Sequence, residues 1–126
     1  MDRLFTRATL IATTLASALA AAPALAQQTP AAGRYEALMC VTLGDAAANC
    51  GPADAQLLRG GRLLVRISDI VYRLTLHSSQ ADVVLMHGAM QIDEFVANYE
   101  WEGATLAFVD ADKRTRYELS LKPVGR

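Results

Sequence analysis

The chain has two histidines, His77 and His87, and imidazole is the side chain that most readily exchanges protons near neutral pH. A four-residue turn at 78–81 would place His77 opposite Asp82 and His87 opposite Tyr72. The two rings would then point to opposite faces of one hairpin, so we expect no shared metal ion. His77 reads as a solvated residue beside a turn. His87 shares an apolar face with Tyr72, where it is either a buried, hydrogen-bonded histidine or a functional one.

Paired carboxylates are the next candidates, because two acids near an aromatic surface are able to carry out general acid and base chemistry. Asp93 and Glu94 are adjacent, and adjacent strand residues point to opposite faces, so a surface role is expected for them. Asp110 and Asp112 have the spacing that opens a calcium loop, but the later glycine and glutamate ligands are missing. No serine motif or phosphate-binding loop is present, so no catalytic residue, metal or cofactor is predicted.

The segment 82–108 supplies the strongest structural pattern, two strands joined by a tight turn. Apolar residues alternate with polar ones in its second strand, where one face carries Phe95, Ala97, Tyr99 and Trp101. With Glu102 and Gly103 as the loop, the predicted pairs are Trp101 with Ala104, Tyr99 with Leu106, and Ala97 with Phe108. Both apolar rows then fall on one side, which indicates a buried face.

The opposite face of this hairpin is less polar than a solvent-exposed face usually is. In the same register Val96 faces Val109, and Asn98 faces Ala107. Three interpretations follow: the chain itself covers this face, a second copy forms a homodimer there, or another protein docks on it.

The N-terminus indicates export. Residues 1–26 combine Arg3 and Arg7, an Ala-rich apolar run from 10 to 22, and small residues at 24–26, which predicts a cleaved signal peptide and a periplasmic location. The run is too weakly hydrophobic for a stable membrane anchor. Cys40 and Cys50, the only cysteines, then form one disulfide.

Removing 26 of 126 residues leaves 100, enough for a single β domain at 34–126 after a flexible leader at 27–33. The cleaved segment carries two arginines and one aspartate, so the formal charge changes from −1 to −2. This near-neutral balance argues against nucleic acid as a partner.

The remaining segments read as short strands separated by turns, with a bulge or tight turn at Ser68 and Asp69 and a further turn at 110–114. Segment 51–59 is the exception, because its early Pro52 and the following Gly60 and Gly61 predict a short helix. The expected fold is all-β, a small antiparallel meander of about six to eight strands forming a barrel or a sandwich.

Three functions are compatible with this pattern. The first is a non-enzymatic binding module that engages another envelope protein, as an inhibitor or accessory factor. The second is a carrier of a small apolar ligand, with a lipocalin-like barrel lined by aromatic rings. The third is a hydrolase using His87 with Asp93 or Glu94. The candidate binding residues are Tyr72, His87, Asp93, Glu94, Val96 and Val109.

Overall fold

A computed structural model describes residues 29–124, which form a closed antiparallel barrel of eight strands. Each strand pairs with the next along the chain, and the first pairs with the last. The strands are β1 (Gly33–Leu43), β2 (Asn49–Leu58), β3 (Arg62–Ile67), β4 (Ile70–Leu76), β5 (Gln80–His87), β6 (Met90–Glu102), β7 (Thr105–Asp110) and β8 (Thr115–Pro123). The all-β prediction is confirmed. Of the two predicted alternatives, a barrel and a sandwich, the structure has the barrel. The predicted signal peptide and the first two leader residues lie outside the described residues.

Alternation along each strand builds the barrel, because every second side chain points inward. In β8 the inward residues Thr115, Tyr117, Leu119 and Leu121 are buried, and Arg116 between them is exposed. Short two-residue loops join several strands, and the one at Ser68 and Asp69 confirms the predicted tight turn.

The short helix predicted within 51–59 is wrong, since residues 51–58 belong to strand β2 and no helix occurs in residues 29–124. Ala53, Ala55 and Leu57 are buried at a spacing of two, which is the strand period. Pro52 is tolerated because the ladder between β2 and β3 begins only at Asp54, so no neighbour on that side needs its missing N–H group.

The β6–β7 loop lies one residue later in the chain than predicted. It consists of Gly103 and Ala104 in place of Glu102 and Gly103, so Trp101 pairs with Leu106 and Tyr99 with Phe108. Gly103 adopts a φ of 66°, which favours glycine at the first position of a two-residue hairpin loop. Because the pairing shifts by two residues, every side chain keeps the face that was predicted for it.

The β4–β5 register also differs from the predicted one by two residues, because the turn between the strands is shorter than predicted. Tyr72 pairs with Leu85 and Ile70 with His87, so the predicted pair of Tyr72 with His87 is wrong. The predicted pair of His77 with Asp82 is also wrong, because Asp82 pairs with Thr75. The His77 N–H donates to the Gln80 carbonyl at 2.8 Å, which closes the turn two residues tighter than predicted. His87 is therefore at the end of its strand, beyond the core.

The predicted disulfide joins Cys40 to Cys50, with sulfurs 2.04 Å apart. The two residues are direct partners in the β1–β2 ladder, and the bond closes the β-hairpin that they belong to. No helix in the described range 29–124 is long and apolar enough to cross a membrane.

The barrel interior has two halves with different side chains. The half that we call the leucine half is almost inaccessible, with exposures of 0–6%, and consists of Leu57, Leu63, Leu74, Leu106, Leu119 and Leu121. The aromatic half consists of Tyr72, Phe95, Phe108 and Tyr117. We call the barrel end beside the aromatic half the open end; its loops are 44–48, 68–69, 88–89 and 111–114.

Candidate binding site

Four aromatic rings form a floor beneath the open end. Tyr117 lies at their centre: its ring stacks on Phe108 with centroids 4.6 Å apart and on Phe95 at 5.8 Å. Tyr72 meets the same ring edge to face at 6.0 Å. The four residues come from β4, β6, β7 and β8, and each occupies an inward position of its strand. These rings fill the middle of the barrel with contacts to each other, which separates the open end from the leucine half.

Three charged groups lie above this floor. The Lys113 ammonium donates to Asp93 Oδ2 at 2.5 Å and lies 3.8 Å from Asp110 Oδ2. The same nitrogen is 5.7 Å from the centroid of the Phe95 ring, within the range of a cation–π contact. Lys113 belongs to the loop between β7 and β8, whereas the two carboxylates are on β6 and β7. One cation thus contacts two carboxylates and an aromatic face.

These contacts shift the pKa values of the exposed pair. The hydrogen bond from Lys113 lowers the pKa of the Asp93 carboxyl, and the Glu94 backbone N–H, which donates to Asp93 Oδ1 at 2.8 Å, acts in the same direction. The hydrogen bond to Asp93 raises the pKa of the Lys113 ammonium. Both groups are therefore charged across the physiological range.

Asp110 differs from its neighbours in its burial. Its side chain is 2% exposed, and its Oδ2 atom accepts no hydrogen bond from any residue in 29–124. The 3.8 Å separation from the Lys113 nitrogen exceeds hydrogen-bonding distance. A buried carboxylate oxygen without a donor is uncommon, and each such group calls for an explanation.

A β-bulge in β6 accompanies the inward position of Asp93. Leu85 of β5 pairs with Asp93 and Met86 pairs with Gln91, which leaves Ile92 as the extra residue. Asp93 follows the inward phase of Phe95, and Glu94 points outward, where it accepts a hydrogen bond from Gln91 Nε2 at 2.7 Å. The prediction that the two acids lie on opposite faces agrees with this geometry.

Both tyrosine hydroxyls of the floor are neutral at physiological pH. Burial raises the pKa of Tyr117 to about 12, and the nearby Tyr72, Asp110 and Asp93 add to the shift. Burial also raises the pKa of Tyr72. These phenols are therefore hydrogen-bonding groups and are not suited to act as bases.

A cavity of about 320 Å³ with a mixed polar and apolar wall opens beside the floor. It exists because β2 extends past the end of its ladder with β3, so residues 49–53 have no partner on that side. Tyr72 is common to the cavity wall and the aromatic floor. The wall consists of Met39, Val41, Asn49, Cys50, Gly51, Ile67 and Tyr72. The volume is at the lower end of the range of small-molecule sites.

The structure does not assemble the predicted hydrolase pair. The exposed His87 ring has its Nε2 atom 3.9 Å from Asp69 Oδ2, too far for a hydrogen bond. Asp93 contacts Lys113 and Glu94 contacts Gln91, so neither acid orients the imidazole. His77, as predicted, is exposed beside its turn, where it contacts Asp82 at 3.0 Å.

Val96 and Val109 both lie on the outer face of the barrel, but they are not direct partners. Val96 pairs with Asp82, and Val109 pairs with Asn98 and Arg116. The predicted pairs Val96 with Val109 and Asn98 with Ala107 are therefore wrong. Val96 is 56% exposed, so no other part of residues 29–124 covers it.

We call Asp93, Asp110 and Lys113 together the ionic cluster. Asp110 was considered from the sequence only for a calcium loop, and Lys113 was not considered as a site residue. Asp110 continues the inward phase of Leu106 and Phe108, and that spacing was the available signal. Lys113 carries no such signal, because a lysine in a polar turn is indistinguishable from a solvated one.

Residues 29–124 contain no group of three or more His, Cys, Asp and Glu side chains arranged to hold a metal ion. Comparison with protein-family models, with curated proteins and with solved structures finds no match to this chain. The candidate site thus rests on its geometry alone.

Proposed function

We propose that the protein is an exported, non-enzymatic binding module that engages another protein through the open end of its barrel. The observation that carries this proposal is the packed interior: Phe108 is fully buried, and the rings of the aromatic half fill the space that a deeply enclosed ligand would need. Recognition then takes place at an end or on the outer surface.

The open end is favoured over the opposite end because its polar groups are incompletely paired. Asp110 has a buried oxygen without a donor, and a cavity lies a short distance away beside Tyr72. A cavity with a few convergent polar groups near it is the usual composition of a binding site. At the opposite end the ion pair between His77 and Asp82 is exposed, and its two members are paired with each other at 3.0 Å.

Export is part of the proposal. The segment 1–26 has the composition of a signal peptide, and the disulfide between Cys40 and Cys50 is the type of bond that persists in oxidising compartments. The periplasm is the compartment in which both features fit.

Site-specific photo-crosslinking in intact cells tests this function. A benzoylphenylalanine is placed at Met90 at the open end, at Arg59 at the opposite end, or at Val96 on the outer face; all three positions are exposed. We expect one discrete crosslinked protein from Met90 and none from Arg59. Equal crosslinking from all three positions, or no crosslinked product, would reject the proposal. A product from Val96 alone would move the interface to the outer face.

A small-ligand carrier is the second candidate, and the cavity of about 320 Å³ is the observation that favours it. Such a ligand would be held at the open end, since the aromatic floor blocks deeper entry. Native mass spectrometry of protein purified from the periplasm without denaturation tests it. A reproducible additional mass on the folded chain would support the carrier, and the mass of the oxidised chain alone would not.

A further inference from the structure

We propose that the open end is a recognition site for a primary ammonium group, and that Lys113 of the chain itself occupies this site. The inference deepens the proposed function by naming the chemistry of the partner. It rests on the geometry around the Lys113 nitrogen, which contacts Asp93 Oδ2 at 2.5 Å, Asp110 Oδ2 at 3.8 Å and the Phe95 ring centroid at 5.7 Å.

The surroundings of this nitrogen have the composition that an alkylammonium group requires. An ammonium has three N–H donors and no acceptor, so it binds best between oxygen acceptors and against the face of an aromatic ring. Asp93 and Asp110 supply the acceptors from two different strands, and Phe95 supplies the face. Asp93 and Asp110 both occupy inward positions of their strands, so the barrel fold itself places the two carboxylates at the open end.

Lys113 fills the site incompletely, and this is an independent observation. Asp110 is 98% buried and points inward, yet its Oδ2 atom accepts no hydrogen bond from residues 29–124. The Lys113 nitrogen donates to Asp93, but it lies 3.8 Å from Asp110 Oδ2, which is beyond hydrogen-bonding distance. A ligand ammonium seated between the two carboxylates is able to donate to both, which Lys113 does not do.

The position of Lys113 on a loop explains why its ammonium group can leave the site. Lys113 belongs to the exposed loop between β7 and β8, and its side chain is 52% exposed. Exposed ion pairs contribute little to stability, so exchange of one cation for another is inexpensive. Because a second cation would be repelled, the ligand and Lys113 compete for the same position.

The neighbouring apolar surface specifies what the ammonium is attached to. Phe95 and Tyr117 form the floor, and the cavity lined by Tyr72, Val41 and Ile67 lies beside it. A short alkyl chain fits such a surface. This chemistry is found in free alkylamines and in the lysine side chain of a partner protein, which is the source that the proposed function favours.

The test compares the wild type with Lys113→Met, which keeps the length of the side chain and removes its charge. Two probes are titrated and followed by NMR: n-butylammonium for a free amine, and Nα-acetyl-lysine N-methylamide for a partner's lysine. We expect Lys113→Met to bind at least one probe about tenfold more tightly than the wild type does. Binding of n-butylammonium alone assigns a free amine, and binding of the lysine derivative alone assigns a protein.

Asp110→Asn in the Lys113→Met background is the decisive variant, and Asp45→Asn, exposed on the loop 44–48 at the same end, is its matched control. We expect loss of binding in the first and no change in the second, with both folded by circular dichroism. Equal affinity of the wild type and Lys113→Met, or binding that survives Asp110→Asn, overturns the inference. If Asp110→Asn fails to fold, Asp93→Asn takes its place with the same expected loss. These titrations use no partner protein, so their failure is separate from failure of the crosslinking experiment.

Discussion

The two halves of the barrel interior differ in what their side chains offer. The leucine half consists of fully buried aliphatic groups and contains no ionisable side chain among its six residues. The open end has a buried carboxylate oxygen without a donor, a lysine between two acids, and two phenols whose pKa values burial raises. One set of strands therefore carries two different environments a few residues apart.

This difference indicates a division of roles. Aliphatic burial supplies most of the free energy of folding, whereas buried polar groups that lack partners reduce it. The open end keeps such a group, Asp110, although a leucine or valine at this inward position would remove the unpaired oxygen. Retaining a costly polar group at an inward position is typical of functional sites, where stability is exchanged for binding.

The largest effect is expected in the leucine half, from Leu106→Ala. Leu106 has no exposed surface, so the substitution leaves a cavity that closes only in part and lowers the free energy of unfolding by about 2–5 kcal/mol. Urea unfolding measures the loss. The control Val96→Ala, at an exposed position, should change it by less than about 0.5 kcal/mol. A loss below about 1 kcal/mol for Leu106→Ala would mean that the leucine half is not the stabilising region.

The next effect concerns the disulfide, which lies in the β1–β2 hairpin that ends at the open end. Replacing Cys40 and Cys50 together by alanine frees a loop closed over a separation of 10 residues, which should cost about 2–3 kcal/mol by the loss of chain entropy from the unfolded state. The midpoint of urea unfolding with and without a reducing agent checks this. Reductant should destabilise the wild type to the level of the variant and leave the variant unchanged; a wild type insensitive to complete reduction would contradict it.

The features that could be predicted from the sequence are those that depend on local spacing. Period-two alternation identified the strands of the hairpin at 82–108, since the phase of Phe95, Ala97 and Tyr99 depends on local spacing alone. The cysteine pair was equally local. Loop positions were harder: Gly103 was assigned to the loop correctly, but its partner was Ala104 and not Glu102, because only the backbone φ decides which side of the glycine the loop extends to.

The ionic cluster could not be predicted, for a different reason. Asp93 and Lys113 are 20 residues apart, and they meet only because the barrel brings β6 next to β7 and carries the following loop back over the open end. The helix predicted around Pro52 failed similarly. A proline is compatible with a strand where the neighbouring ladder has not yet begun, and the sequence contains no sign of where that ladder begins.

The next prediction concerns Tyr117 and the stability of the protein at alkaline pH. Its pKa is raised to about 12 in the folded protein from 10.0, so the unfolded chain loses this proton first and stability falls as pH rises above 10. At about pH 11 the loss from this residue is on the order of 1 kcal/mol. Tyr117→Phe keeps the stacked ring and should be less sensitive to alkali than the wild type over the same range. Urea unfolding at about pH 8 and pH 11 measures the difference, and parallel losses in the two proteins would show that Tyr117 does not ionise on unfolding.

The smallest effect is expected from the ion pair of Asp93 and Lys113. The lowered pKa of Asp93 means that its contribution to stability is present above its ordinary value of 3.8 and is lost as pH falls through the lowered pKa. Asp93→Asn should therefore be slightly less stable than the wild type near neutral pH and equal to it in strong acid.

Because both side chains of this pair are partly exposed, the difference should also shrink at high salt. Unfolding of Asp93→Asn and of the control Asp45→Asn, an exposed acid on the loop 44–48, at low and high salt and at two pH values, checks both dependences. A large, salt-independent loss would make Lys113 a structural anchor of the open end and would argue against its exchange for a ligand. A small loss that salt screens would mean that the leucine half stabilises the fold and that the Lys113 ammonium is free to exchange with another cation.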